Sequence, residues 1–335
     1  MLTFTLRRLL LAIPTLLAIS LVIFLLVDLA PGSPMSEIPL TVPPDVRQRM
    51  IEAMGADQPV FVRYVLWLRQ FFWVEPAQVI NHWFGTDFAA GEQRILSWQS
   101  RSPVFTVIGQ RLPQTLTVIG TAYLVGILIA LPIGIYSAYR QYSVFDQLGT
   151  LFAMIGFSVP TFFSGTLFII IFAVWLGWFP TKYDTMMEVT DWESFLKQLR
   201  QMALPVLTLG LANAATISRY MRSSMLENMV QDYVRTARAK GMREKTVVLK
   251  HVLRNSLIPV VTVIALGIPS IFGGAIITEN LFGVNGIGAA LILAIHASDL
   301  PMVQTLAFIF AVLIVVFNLI ADILYGLLDP RIRYD

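Results

Sequence analysis

The residues able to carry chemistry are few, and their spacing gives them no joint task. His82, His251 and His296 fall on three separate segments, and none has partners nearby at metal-ligand spacing. The absence of Cys removes disulfides, iron–sulfur clusters and thiolate zinc sites. No Gly-x-x-x-x-Gly-Lys-[Ser/Thr] phosphate cradle occurs, and Lys240-Gly241 reverses the order such a cradle needs. The run Gly283-Val284-Asn285-Gly286-Ile287-Gly288 is glycine-rich but lacks the preceding strand of a dinucleotide turn; it reads as an external loop dipping between two spans. The chain therefore reads as non-catalytic, and any ATP hydrolysis driving it belongs on another polypeptide.

What remains are polar groups set in apolar runs. An Asp at the centre of a membrane helix costs roughly 2.5–3.5 kcal/mol on insertion scales. Asp28, Glu279 and Asp322 lie near the ends of such runs, where snorkelling lowers that cost. Asn213 is mid-run and is the stronger candidate for a solute pathway. Pro132, Pro160 and Pro269 each remove a backbone donor within a run and can kink it. Gly267, Gly273 and Gly274 add weak points. The candidate pathway set is Ser158, Pro160, Thr161, Asn213, Gly267 and Gly273. No acid is placed mid-span as in a proton or sodium relay, which disfavours the alternative of an ion-coupled secondary transporter.

Composition dictates what positions these groups. The 335 residues are 56% hydrophobic and 13% charged, with a mean hydropathy of +0.70. Soluble domains are about 25% charged, so a soluble enzyme, a disordered tail and a disulfide scaffold are excluded. A net charge of +3 is too small to argue for nucleic acid. The chain reads as an all-α polytopic membrane protein. A bilayer core needs about 20 apolar residues per helix, and six stretches qualify: 9–29, 112–136, 148–177, 202–222, 257–279 and 304–326. The first is too long for a signal-peptide core and lacks a small-residue cleavage site, so it reads as an uncleaved span.

Basic residues set the expected orientation. Arg7, Arg8, Arg140, Arg331 and Arg333 fall on one side with the loop 219–256, which holds Arg219, Arg222, Arg235, Arg238, Lys240, Arg243, Lys245, Lys250 and Arg254. That side is the expected cytoplasm, with both termini in it. The chain divides into 1–29 (N-terminus and first span), 30–111 (an extracytoplasmic segment), 112–326 (a five-helix core including the loop 223–256) and 327–335 (a cytoplasmic tail). Within 30–111, Pro59 to Val74 predicts a helix with Phe61, Val65, Leu68 and Phe72 on one face. It reads either as packed on the membrane surface or neighbouring spans, with Trp67 and Trp73 as interfacial anchors, or as a dock for an external partner.

The loop 223–256 predicts a folded elbow. Met225, Leu226, Met229, Val230, Tyr233, Val234 and Ala237 recur at helical spacing, and Gly241 is placed for a left-handed cap. A second helix starts near Thr246, with Val248, Leu249, Val252 and Leu253 on its apolar face. The spans on both sides are thereby tied to whatever binds the elbow.

At Arg235-Thr236-Ala237-Arg238-Ala239-Lys240-Gly241 the sequence resembles the coupling loop of ABC importer permeases, of general form Glu-Ala-Ala-x-x-x-Gly, nine residues, Ile-x-Leu-Pro. Ala237, Gly241 and Leu253 fit; Arg235, Thr236, His251 and Arg254 depart from it, in the manner of the dipeptide/oligopeptide (peptide/nickel/opine) branch. The same branch is resembled at Arg7–Pro14, Leu29–Gly32, Arg111–Leu116, Ser158–Phe163, Leu204–Gly210, His251–Val260 and Leu328–Tyr334. The long external segment is similar to that of the "B" type subunit. The resemblance implies the type I importer permease fold with six transmembrane helices. It implies a second, "C" type permease as partner, two ATPase subunits holding ATP and Mg, and an extracytoplasmic solute-binding protein. It implies location in a bacterial plasma membrane and peptides as the commonest cargo, with nickel, glutathione, opines or oligosaccharides as alternatives. Residues Arg235, Thr236, Ala237, Arg238, Ala239, Lys240, Gly241 and Met242 are the implied ATPase contact.

Overall fold

The computed structural model describes residues 2–29, 42–46, 48–49, 58–89, 91–273 and 275–328. Gly274, much of 30–57 and the closing run 329–335 lie outside the described residues. Among those described, extended pairing is confined to one bridge, Leu96 with Pro103, and the rest of the regular structure is helical. The helices are α1 (Leu2–Asp28), α2 (Val60–Arg69, through a π turn at Gln70–Val74, into Glu75–Phe84) and α3 (Val104–Tyr139). Then follow α4 (Val144–Ser158), α5 (Thr161–Trp175), α6 (Trp192–Met229) and α7 (Asp232–Ala239). The chain continues as α8 (Glu244–Thr246, a π turn at Val247–Val252, then Leu253–Gly273), α9 (Ala275–Phe282), α10 (Ile287–His296) and α11 (Leu300–Leu328).

Among the described residues, five helices are long and apolar enough to cross a membrane: Thr5–Asp28, Val104–Tyr139, Trp192–Met229, Glu244–Pro269 and Leu300–Leu324. The expected straight span 148–177 is instead the pair α4–α5, bent by 106°. Pro160 forces this, because the residue before proline is pushed out of helical geometry; Val159 sits at φ −88°, ψ 123°. Counted as one crossing, α4–α5 makes six. The expected span 257–279 corresponds to α8 up to Gly273 and to α9, which holds Glu279, with Gly274 between them outside the described residues. The pair α9–α10 is bent by 88° about the glycine run that the sequence marked as a dipping loop.

Contacts divide the chain into two units, 1–10 with 114–289 and 313–335, and 11–113 with 290–312. In the first unit the central contact is α3 against α6, made through glycines. A Cβ on Gly126 would lie 2.9 Å from Asn213 Cβ and from the Gly210 carbonyl; one on Gly134 would lie 2.6 Å from Met221 Cβ and the Ser218 carbonyl. Small residues at this spacing let two backbones touch. Below them Ala130, Ala138, Ala214, Ile217, Met221 and Met225 form a buried core. The first turn of α4 is fixed to α6 by a bidentate pair, with Arg222 Nε and Nη2 at 2.6 and 2.8 Å from the buried Asp146 carboxylate. Asp322 is paired with Arg8 at 2.8 Å.

In the second unit Asp28 is paired with Arg63 at 2.6 Å, so this acid is neutralised by a neighbouring helix rather than snorkelling. Phe24, Tyr64, Trp67, Phe71 and Phe308 form an aromatic cluster. The buried Glu75 accepts from Arg94 Nη2 at 2.7 Å and from the Ile95 amide. Asp299, also buried, accepts from Ser97 Oγ and from the Trp98, Gln99 and Met302 amides. The expected face of α2 is periodic but points outward: Phe61, Val65 and Phe72 are exposed while Trp67, Phe71 and Val74 are buried. Of the two expected anchors, Trp67 is core and Trp73 is exposed.

The seam makes a direct prediction. Gly134→Val puts a side chain where none fits, and overpacking of this kind costs about 1–3 kcal/mol or more. A melt of the purified protein in detergent will show a large loss of stability for this variant. Gly109→Ala, where a Cβ meets nothing within 4 Å, will show none.

Candidate functional site: a seated elbow between two long helices

The elbow begins where α6 stops. The helix expected to run from Met225 to Ala237 is broken at Val230 and Gln231, the latter extended at ψ 152°. Tyr233 Oη donates to Asn228 Oδ1 at 2.7 Å across the break and fixes the turn. The short helix α7 then runs to Ala239, and Gly241 at φ +75° turns the chain with its amide donating to the Arg238 carbonyl at 2.9 Å. A β-carbon is disfavoured in that left-handed conformation.

The two faces of α7 have opposite tasks. Val234 and Ala237 are buried among Met225, Val247, Val248 and Val252. Ala237 therefore seats the helix, its side chain packed in the core. Met242 is half-buried against the same core. The outward set is Arg235, Thr236, Arg238, Ala239, Lys240 and Gly241, all exposed, followed by exposed Arg243 and Lys245. Arg238 makes a bidentate bond to Glu244 at 2.7 and 3.1 Å, which holds its guanidinium still more firmly in the charged form. Arg235 reaches Asp232 at 3.3 Å. The result is a basic surface on an apolar plug.

The return helix also differs from its sequence pattern. It starts at Glu244, and its buried residues are Val247, Val248 and Val252, while Leu249 is 48% exposed. A π turn inserts one residue per turn and rotates the face, so a regular 3.6-residue reading places Leu249 on the wrong side. Ser224 Oγ donates to the Ser256 carbonyl at 2.9 Å, clamping α6 to α8 behind the elbow.

Two of the six pathway candidates, Asn213 and Gly267, meet one turn of α3. Asn213, half-buried, packs on Gly126, and Gly267 packs on Tyr123, whose hydroxyl donates to the Ile264 carbonyl at 2.5 Å. Ser158 and Pro160 are exposed at the α4–α5 bend, with Thr161 half-buried beside them. Gly156, two residues before Ser158, lies against Ala215 of α6. Gly273 stands at the end of α8.

Two features escaped the sequence pattern. Asp146 and Arg222 are 76 residues apart, and neither stands out alone. Glu279 is fully buried and does not snorkel: it accepts from Thr115 Oγ1 at 2.6 Å and from the Ala289 amide at 2.9 Å, while the Ile287 amide donates to Thr115 Oγ1. A Cβ on Gly286 would fall on the Glu279 carboxylate and Thr115 Oγ1, and one on Gly288 would lie 2.8 Å from Ile276 Cα. The glycine run thus makes room for a carboxylate of the chain itself. Its glycines were the signal that could have located this site.

Over residues 130–334 the sequence matches the family described as binding-protein-dependent transport system inner membrane component, and residues 1–119 match the corresponding N-terminal family. The oligopeptide transport system permease protein AppB of Bacillus subtilis (strain 168) is 37% identical over 338 residues, covering 100% of both chains. The glutathione transport system permease protein GsiC of Salmonella typhimurium (strain LT2) is 36% identical over 338 residues, again covering 100% of both. The crystal structure of an amino acid ABC transporter with histidines aligns with a TM-score of 0.48 and 14% identity, over 68% of this chain and 95% of that one.

Seating is testable apart from any partner. Val234→Asp places an unpaired charge in the plug, and hydrogen exchange of the 232–239 amides will accelerate by at least tenfold in the purified protein. Arg235→Ala, on the exposed face, will leave that exchange unchanged.

Proposed function

The chain belongs to the binding-protein-dependent transport system inner membrane component family, and from that membership we propose that it moves di- or oligopeptides by ATP-driven alternating access. It is a multi-pass inner-membrane permease subunit of an ABC importer. In this reading the chain forms half of a translocation path with a second, homologous permease. The path is served by two ATPase subunits that hold ATP and Mg, and by a solute-binding protein outside the membrane. Both termini and α7 lie in the cytoplasm, where the basic residues concentrate.

The observation that carries the coupling reading is the two-faced α7. Its apolar side is locked between the ends of α6 and α8, and its free side offers Arg235, Arg238 and Lys240. Arginines of this kind suit acidic side chains on a partner through charge-assisted bonds. When the ATPases close, a pull on α7 passes to α6 and α8 together. The α4–α5 bend and the α9–α10 bend then let one side of the path open as the other shuts. Peptide as cargo rests on the full-length likeness to the oligopeptide permease. Glutathione, itself a small peptide, is the second reading, favoured by the likeness to the glutathione permease.

Gly241→Asp tests the coupling. The substituted chain will insert and assemble with its partner subunits, but peptide-stimulated ATP hydrolysis and uptake into vesicles will fall at least tenfold. Normal transport by that assembled variant overturns the elbow assignment. Uptake compared between an oligopeptide and glutathione decides the cargo.

A further inference from the structure

The helix α2 follows the first span, in the segment expected to lie outside the membrane, yet its chemistry is that of a helix in contact with lipid. It carries three formal charges, and all three are paired within its own unit: Arg63 to Asp28 at 2.6 Å, Arg69 to Glu92, and Glu75 to Arg94 at 2.7 Å. Its outward side is apolar except at Arg69, whose side chain is 56% exposed while paired to Glu92; Phe61 is 76%, Val65 61% and Trp83 78% exposed, and Phe72 and Val79 are exposed between them. A helix in water reverses this pattern, placing charges outward and apolar groups inward. In a bilayer, charged groups face protein and pair with one another.

Two neighbours in the same unit act as depth rulers. Tyr64 shares a hydrogen bond with Ser20 at 2.7 Å and packs edge-on to Phe24, which stands four residues inside the α1 terminus at Asp28. Four residues are about 6 Å of helix. Trp67, Phe71 and Phe72 pack on Phe308, eight residues into α11 and about 12 Å from its start. Both α1 and α11 contain candidate membrane spans at these residues. The two depths, about 6 and 12 Å, bracket much of the range of about 5–10 Å to which the apolar faces of interfacial helices sink. The exposed Trp73 and Trp83 are amphipathic residues suited to the headgroup boundary.

We propose that α2 lies in the outer boundary layer of the bilayer, with Phe61, Val65 and Phe72 in contact with acyl chains. The occupant of this face is lipid, not the solute-binding protein or a second permease. The inference rests on the chain being a multi-pass membrane protein and is independent of ATP coupling.

The chain has no Cys, so single labels are unambiguous on it. Phe61→Cys and the gentler Val65→Cys are spin-labelled in the full chain, purified with its partner subunits in vesicles of phosphatidylethanolamine and phosphatidylglycerol. The unsubstituted chain is the blank, and Gln93→Cys, at an exposed loop position, is the aqueous control. The expected result is an oxygen-to-nickel-chelate accessibility ratio at residues 61 and 65 at least fivefold that at residue 93. A ratio equal to the control puts the face in water and overturns the proposal. Exclusion of both reagents puts it under protein and also overturns it. Uptake measured in the same vesicles reports on the transport reading separately, so either can fail alone.

Discussion

The structure depends on the close approach of α3 and α6. Side chains elsewhere in the first unit are arranged around two backbones that touch at Gly126, Gly134 and Gly210. In lipid there is no hydrophobic drive between helices, so association depends on packing and on bonds between them. Removing Cβ at these positions brings the helices near enough for dispersion contacts to act along several turns. Everything that converges on the seam inherits its position. Asn213 and Gly267 meet α3 at Gly126 and Tyr123, and Arg222 carries the α6 end of the clamp on Asp146.

Beside the seam, two helices are broken where backbone bonds are withheld. Pro160 breaks α4 from α5 at 106°, and the glycine run breaks α9 from α10 at 88°. A broken helix in a membrane leaves polar groups that must be satisfied inside the protein. The α9–α10 break solves this with Thr115 and Glu279, which together take up the Ile287 and Ala289 amides at the start of α10. The positive end of a helix also favours a carboxylate there. Glu279 is thus the partner that makes the break tolerable, which explains why an acid survives at full burial.

Much of this was legible in the sequence because it follows from local rules. The apolar runs gave the long helices, and Pro160 marked the bend. The turn at Gly241 needed only its glycine. What was not legible depends on long-range pairing or on a change of helical period. The pairs Asp146–Arg222 and Thr115–Glu279 join residues far apart in sequence, and neither member announces the other. The π turns at Gln70–Val74 and Val247–Val252 shift the register, so a 3.6-residue reading misplaced Leu249. The outward face of α2 was read correctly as a face; what covers it depends on the surrounding medium, which periodicity does not report.

The same distinction explains the elbow. A basic run is normally read as a solvated surface, and six residues of 235–241 are exposed. In the proposed coupling the run acts mechanically through its other side, which is not solvated. Val234 and Ala237 seat α7 in the core that holds Met221 and Met225 of α6 and Val252 of α8. Those helices are clamped together at Ser224 and Ser256, and α6 is seamed to α3. A force applied to the exposed arginines therefore meets no loose joint before it reaches α3. Had α7 been a surface helix joined only by its flanking loops, the force would have been absorbed in local unfolding, whose cost is smallest where few apolar contacts are buried. In the proposed coupling, burying one face while leaving the other charged makes eight residues of helix a lever rather than a tether.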